Sequence, residues 1–197
     1  MGFFSKLFGS KEKSKFTFIK DIAAIICGGD TNVLKAIDDM LSNPKKYFKR
    51  NSDRYDDRGI DAEEIQDIMA DGDADEQAEL FWLGMVDELI EGGYVAELDY
   101  KCSKDELLNA LSELNYPTLK NTVGSTDMLS SAADDISTLC NEISKLMAGT
   151  AKIGYIDIDS DSYPLFILTA AKGKSPDELL DQLTTIAGDN LFNITTP

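Results

Sequence analysis

Three aspartates at alternate positions form the group of side chains with the clearest chemical potential in this sequence. Asp157, Asp159 and Asp161 could supply oxygen ligands to Ca²⁺ or Mg²⁺. An EF-hand loop starting at Asp157 would need glycine at its sixth position and glutamate at its twelfth, where Ser162 and Leu168 stand. The alternative is a β-hairpin with the aspartates on its solvated face. Both interpretations stay open, and no other cofactor is predicted.

The chain contains no histidine, which excludes the most common catalytic groups. Ser–His pairs, Cys–His pairs and His-containing zinc sites are all ruled out. Neither a G-x-x-x-x-G-K-[ST] phosphate loop nor a G-x-G-x-x-G motif occurs. Cys102 precedes a helix start, which can lower a thiol pKa, but Asp99, Asp105 and Glu106 disfavour a thiolate there. No catalytic residue is therefore predicted, and an enzyme is the less favoured alternative.

The charge of the chain is strongly negative, with a formal net charge of −17. Residues 1–20 contain five lysines and one glutamate, so the other 177 residues carry a net charge of −21. Such a body repels phosphate backbones, and a nucleic-acid partner is not expected. The same field attracts basic protein partners and raises their association rates. Solubility alone would also account for this charge.

The three cysteines and the short apolar runs bear on where the protein resides. Cys27, Cys102 and Cys140 lie far apart in sequence, and an odd, unpaired set argues for a reducing compartment. No apolar run approaches the roughly 20 residues that a membrane-spanning helix requires. A cytoplasmic location is therefore predicted.

Residues 1–15 are predicted to be a tail that is separate from one domain of residues 16–197. The tail combines lysines with apolar residues at helical spacing, namely Phe3, Phe4, Leu7 and Phe8. This combination is typical of a peptide that lies at a membrane interface. A frayed or loosely docked terminus is the alternative interpretation.

Apolar periodicity predicts helices over most of the domain. Two helices are expected within 17–42, and single helices over 75–91, 103–114, 127–147 and 175–187. The segment 44–74 is highly charged and weakly periodic, and only a short helix starting near Asp61 is expected there. Thr31 and Asp75 are predicted to cap their helices, and Ser103 and Ser175 to open capping boxes.

Runs rich in β-branched and aromatic residues predict the strands 93–100, 152–159 and 163–171, with a short terminal strand over 191–195. The polar turn 160–162 makes the second and third of these a hairpin. We therefore predict an α+β fold, in which a small, mostly antiparallel sheet packs against several helices and the N-terminal portion is helical.

Two stretches resemble a known bacterial family. These are 93–101 (GYVAELDYK), followed by a helix that begins D-E-L-L, and 156–163 (IDIDSDSY), which leads into an apolar strand. Both resemble the family catalogued as domain of unknown function 6630, over about residues 80–190. The resemblance implies an α+β domain and no activity. The positions where it implies a shared binding site are Asp99, Lys101, Asp161 and Tyr163.

Three functions are compatible with these observations. The favoured one is a non-enzymatic protein-interaction module that binds a basic partner, for example an immunity-like protein that neutralises a basic toxin. The second is a divalent-metal-binding protein or metal-dependent enzyme that uses Asp157, Asp159 and Asp161. The third is a peripheral membrane adaptor that attaches through residues 1–15.

Overall fold

A four-stranded antiparallel sheet lies at the centre of the computed structural model, which describes residues 16–56, 58–116, 135–147 and 149–197. The strands are β1 (Val95–Asp99), β2 (Ala151–Ile156), β3 (Ser162–Thr169) and β4 (Ile194–Thr195). Their order across the sheet is β1-β3-β2-β4, and every neighbouring pair is antiparallel. The predicted antiparallel sheet is confirmed.

Nine helices are found in the described residues. They are α1 (Thr17–Ile26), α2 (Thr31–Ser42), α3 (Pro44–Arg50), α4 (Asp53–Asp56), α5 (Ala62–Asp71), α6 (Ala74–Glu91), α7 (Lys104–Glu113), α8 (Ile136–Leu146) and α9 (Pro176–Gly188). With the sheet they make an α+β fold, as predicted. The predicted helix 127–147 is confirmed over 136–146, and its residues 127–134 lie outside the described part.

Helices cover both faces of the sheet, because alternate residues of each strand point to opposite sides. One face contributes Val95, Ile156, Phe166, Leu168 and Ile194 to a large apolar cluster, which also contains residues of α1, α2, α6 and α9. The other face contributes Ala151, Ile153, Leu165 and Ile167 to a smaller cluster, shared with α7 and α8. The sheet is therefore the middle layer between two helical layers.

The segment 44–74 contains three helices, whereas the sequence predicted one. Pro44 occupies the first turn of α3, where its missing N–H costs nothing. Helices α3 and α4 are too short to show periodicity, and their aromatic residues Tyr47, Phe48 and Tyr55 are buried in the large cluster. Tertiary packing of these rings stabilises helices that local sequence alone does not predict.

The helix caps agree with the predictions at two sites and differ at two. Ser103 and Ser175 each form a complete capping box, as predicted. The cap of α2 is Asp30, whose carboxylate accepts from the backbone of the helix, and Thr31 is the first helical residue. The cap of α6 is Asp73, in a capping box with Glu76, so the prediction for Asp75 was wrong.

The turn between β2 and β3 is longer than predicted. β2 ends at Ile156, three residues before the predicted end, and Asp159 adopts a left-handed φ of 53°. The indole N–H of Trp82 donates to the Asp157 carbonyl at 2.8 Å, and the Asp157 N–H donates to the Asn193 carbonyl at 3.0 Å. These bonds hold the turn against α6 and the C-terminal segment, so its aspartates leave the strand.

No helix among the described residues is long and apolar enough to cross a membrane. The predicted tail, residues 1–15, lies outside the described residues, and its membrane role stays a prediction. The assignment of 16–197 to one domain stays a prediction as well.

Candidate functional site

Two of the four residues singled out by the family resemblance line the same cleft. Pairing of β1 with β3 places Asp99 opposite Ser162, the residue before Tyr163. The backbone N–H of Tyr100 donates to the Asp161 carbonyl at 3.1 Å. Asp99 and Asp161 are both exposed and line one cleft at this end of the sheet.

The other two residues have different surroundings. The Lys101 ammonium lies 4.6 Å from the centre of the Tyr100 ring, in a cation–π contact on the surface. The Tyr163 ring packs against Tyr155, with 5.2 Å between ring centroids, beside the smaller apolar cluster. The structure therefore brings the two aspartates together and places Tyr163 on the opposite face of the sheet.

The three aspartates proposed as metal ligands all lie in or beside the β2–β3 turn. The Asp157 carboxylate accepts from the Asp159 N–H at 3.0 Å and from the Tyr155 hydroxyl at 3.4 Å. In the part of the chain that the structure describes, no three His, Cys, Asp or Glu side chains form a group that could hold a metal ion. Binding of Ca²⁺ or Mg²⁺ at Asp157, Asp159 and Asp161 stays a prediction.

A larger cleft, of about 740 Å³, lies between α5 and α6. We call it the acidic cleft. Its apolar floor contains Ile60, Ile68, Leu80 and Leu83. The carboxylates that surround this floor belong to Asp61, Glu63, Glu64, Asp67, Asp71, Glu76 and Glu79. Of the described residues that line it, none is a lysine or an arginine.

Helical spacing and two caps place these carboxylates around the cleft. Glu63, Asp67 and Asp71 are four residues apart and share one face of α5. Asp61 caps α5, because its carboxylate accepts from the backbone N–H groups of Glu63 and Glu64 at 2.8 and 2.9 Å. Glu76 plays the reciprocal role in the capping box of α6. The same residues that start the two helices therefore contribute to the charge of the cleft.

The carboxylates of the acidic cleft are exposed, and none of them is ion-paired with another of the residues that the structure describes. All seven side chains belong to exposed residues. The ion pairs formed within the described residues involve other carboxylates, on α2, the second half of α6, β1 and α9. Negative charges gathered around one concave surface reinforce each other's potential and attract cations to it. The cleft can therefore bind a positively charged group without first breaking an ion pair.

A second cleft, of about 540 Å³, adjoins the first, and we call it the hairpin cleft. Ile60, Glu79 and Leu83 line both clefts. Asp99 and Asp161 are exposed in the hairpin cleft, together with Asp159 and Ser160 of the β2–β3 turn. The acidic surface thus continues from α5 and α6 to the end of the sheet.

Among the described residues that line the hairpin cleft, Arg58 is the only basic one, and its charge is already neutralised. Its guanidinium donates two hydrogen bonds to the Glu97 carboxylate, at 2.7 and 3.1 Å, and one to Asp87 at 3.0 Å. Ser162 also donates to Glu97. This network joins the segment after α4 to α6, β1 and β3, and the two carboxylates share one guanidinium.

Burial disfavours the charge of one member of this network, Asp87. The Asp87 side chain is buried, which raises its pKa above the ordinary aspartate value, and Arg58 opposes that shift. Burial, followed by the nearby Asp87 charge, raises the pKa of Tyr55. The Tyr55 hydroxyl and one Asp87 oxygen, Oδ2, have no hydrogen-bond partner among the described residues. The pair therefore stores an unfavourable desolvation energy in the interior.

The cysteines show no sign of activation. Burial is the main cause that raises the pKa of Cys102, and the charges of Glu106 and Asp99 raise it further. Cys27 and Cys140 are buried, and burial raises the pKa of Cys140 to about 12. A thiolate is disfavoured at all three positions, in agreement with the interpretation of Cys102 from sequence.

The acidic cleft was not predicted from the sequence, although the sequence contains a pattern that indicates it. Glu63, Asp67 and Asp71 repeat every four residues, which marks a continuous acidic stripe wherever a helix forms. The helix that carries this stripe was predicted to start near Asp61, and α5 confirms it. Its apposition to α6 depends on tertiary structure.

Comparison with known families assigns the chain to one of them. A family model described as "Domain of unknown function (DUF6630)" matches residues 18–191, which is most of the chain. The chain belongs to the DUF6630 family. The resemblance noted in the sequence is therefore confirmed, over a longer range than expected. The DUF6630 match includes every residue that lines the acidic and hairpin clefts. No curated protein and no solved structure matches the chain.

Proposed function

We propose that this DUF6630 protein is a non-enzymatic interaction module that binds a basic partner protein in the acidic cleft. The observation that carries the proposal is the cleft itself, in which seven exposed carboxylates surround an apolar floor. Each half of this arrangement has a separate role in binding. The carboxylates attract and orient a cationic partner, and the floor provides apolar area that is removed from water on association.

The shape and charge of the cleft favour a particular kind of partner segment. Its walls are the helices α5 and α6, and its floor combines Ile60 and Ile68 with Leu80 and Leu83. An amphipathic helix with apolar residues at i, i+3, i+4 and i+7, flanked by Lys or Arg, matches such a groove. A basic toxin neutralised by an immunity-like protein is one partner with this chemistry.

The remaining charge of the molecule strengthens the attraction over longer distances. The chain carries a net charge of −17, so a basic partner meets a favourable potential before it reaches the cleft. Exposed charges are screened within about 8 Å at physiological ionic strength. The association rate and affinity should therefore fall as salt is added, and the apolar floor should account for the affinity that remains.

A fluorescent peptide provides the test. The probe is a synthetic amphipathic helix of leucine and lysine, about 18 residues or 27 Å long, with a scrambled peptide of the same composition as its control. Binding is followed by fluorescence anisotropy. We expect the full chain to bind the amphipathic probe at least tenfold more tightly than the scrambled one, because only the helical pattern presents an apolar face to the floor.

Two charge-reversed variants locate the site. Asp67→Lys with Asp71→Lys reverses charge in the acidic cleft, in the middle and last turn of α5. Asp181→Lys with Glu113→Lys makes the same change in net charge on exposed positions of α9 and α7. The cleft variant should lose about tenfold or more in affinity, and the control variant less than about threefold. Equal losses would mean that net charge, and no particular cleft, attracts the probe.

A further inference from the structure

Leu191 is an apolar residue held in an exposed and unfavourable position. It is 90% exposed, which is the highest value for any large apolar residue in the described part of the chain. Its φ of 67° lies in the left-handed region, which disfavours a residue with a branched side chain such as leucine. The sequence had predicted a strand over 191–195, but the strand comprises only 194–195.

The position of Leu191 after α9 explains its backbone conformation. The Phe192 N–H donates to the Ala187 carbonyl at 3.0 Å, and the Leu191 N–H donates to the Gly188 carbonyl at 3.2 Å. These two bonds form a Schellman motif, in which the left-handed residue is usually glycine and sometimes asparagine. Glycine or asparagine at this position would serve the fold better than leucine, so folding does not account for this side chain.

Leu191 stands beside a third cleft, of about 290 Å³, which we call the tryptophan cleft. Phe192 stacks on Trp82 with 4.3 Å between ring centroids and 9° between ring planes. Trp82 is fixed further by its hydrogen bond to the Asp157 carbonyl. The cleft is therefore lined by the half-buried Phe192 ring, which the buried Trp82 ring supports, and by the exposed Leu191.

The tryptophan cleft continues the surface proposed to bind the partner. Glu79 and Leu83, which lie four residues apart on α6, line all three clefts. Asp157 and Asp159 add carboxylates to the rim of the tryptophan cleft. A basic segment that lies in the acidic cleft can thus reach this site along one face of α6.

We propose that Leu191 is an anchor for the basic partner, and that an apolar side chain of the partner packs between Leu191 and the Trp82–Phe192 pair. This inference rests on the proposed function, because the occupant is part of the same partner segment. Interfaces concentrate their binding energy in a few side chains that become fully desolvated in well-packed pockets. Leucine then occupies a left-handed position that favours glycine because its side chain binds the partner.

The test compares folding with binding in the full chain. Leu191→Gly and Leu191→Asn suit the left-handed backbone, so each should leave the urea midpoint of unfolding unchanged or higher. Each should weaken binding of the amphipathic leucine–lysine probe by about fivefold, because the anchor is lost. Leu146→Ser is the matched control, since Leu146 is an exposed leucine on α8, across the sheet. This control should bind the probe like the unsubstituted chain.

The outcomes separate this inference from the proposed function. Wild-type affinity in both Leu191 variants, with weakened binding in Asp67→Lys with Asp71→Lys, would overturn the anchor and leave the acidic cleft as the site. A lower urea midpoint in both Leu191 variants would also overturn it, because leucine would then serve the fold. If the unsubstituted chain does not bind the probe, the proposed function fails and the anchor fails with it.

Discussion

Helix α6 carries carboxylates near both of its ends, and the two groups meet different surroundings. Near the N-terminal end, Glu76 and Glu79 are exposed and line the acidic cleft, whose lining contains no basic residue within the described part of the chain. Near the C-terminal end, Asp87 and Glu88 are buried and lie within 3.0 Å of arginine nitrogens. The partners are Arg58 for Asp87 and Arg54 for Glu88.

The difference follows from the energy of desolvation. A buried carboxylate loses its hydration and is tolerated only when a cation and hydrogen bonds replace the water. The arginines that do so come from α4 and the residues that follow it, so the buried pairs attach the N-terminal helices to α6 and β1. An exposed carboxylate keeps its hydration and needs no partner for folding. The charges near the C-terminal end are therefore compensated by arginines within the fold, and those near the N-terminal end are available to a ligand.

The largest expected effect on stability comes from removing the guanidinium of Arg58, which pairs with Asp87 and Glu97. Arg58→Met leaves Asp87 and Glu97 without their partner and should lower the free energy of unfolding by about 3–5 kcal/mol. Urea denaturation measures this change. The control is Arg50→Met, which removes an exposed pair with Asp39 at 3.4 Å and should cost less than about 1 kcal/mol. Similar losses in both variants would erase the distinction between buried and exposed pairs.

A smaller effect should appear in the pH dependence of stability. Asp87 has a raised pKa when folded, so between the ordinary aspartate pKa and the raised value the folded chain holds more protons than the unfolded chain. Ionisation of Asp87 therefore lowers the free energy of unfolding as pH rises through this window. Below the ordinary pKa both states are protonated, and this cost is absent. Asp87→Asn stays neutral and escapes this loss. Its stability relative to the unsubstituted chain should rise as the pH is raised above the ordinary aspartate pKa of about 4.

Urea denaturation of both chains across this range checks the sign. A relative stability of Asp87→Asn that falls with rising pH would show that Arg58 outweighs burial and lowers the Asp87 pKa.

The smallest effect on folding is expected in the acidic cleft. Asp67→Lys with Asp71→Lys should change the free energy of unfolding by less than about 0.5 kcal/mol, because both residues are exposed. A decrease in the negative net charge also reduces self-repulsion, so a slight gain is the favoured direction. Thermal or urea unfolding measures it. A loss of about 2 kcal/mol or more would give these carboxylates a structural role and would remove the contrast between the two ends of α6.

Local patterns in the sequence predicted much of the fold. Ser103 and Glu106 lie three residues apart, and that spacing alone specifies the capping box that the structure contains. Alternating β-rich runs similarly predicted β2 and β3 as an antiparallel hairpin. These features depend on residues that are close in the chain.

The parts that were missed depend on residues that are distant in the chain. Arg58 joins Asp87 and Glu97, which lie 29 and 39 residues away, and no local pattern pairs them. The acidic cleft requires α5 to lie against α6, and α5 was expected only as a short helix near Asp61. Leu191 was predicted to begin a terminal strand, but the hydrogen bonds of the Schellman motif after α9 determine its conformation.

Mapping the bound probe on the chain shows whether it lies in the acidic cleft. Backbone amide shifts of the ¹⁵N-labelled full chain are followed by NMR while the amphipathic leucine–lysine peptide is added. We expect the largest shifts on residues 61–72 and 76–83, which form the walls of the acidic cleft, with little change in α7 and α8. Shifts concentrated on α7 and α8, or spread evenly over exposed carboxylates of the whole surface, would contradict it.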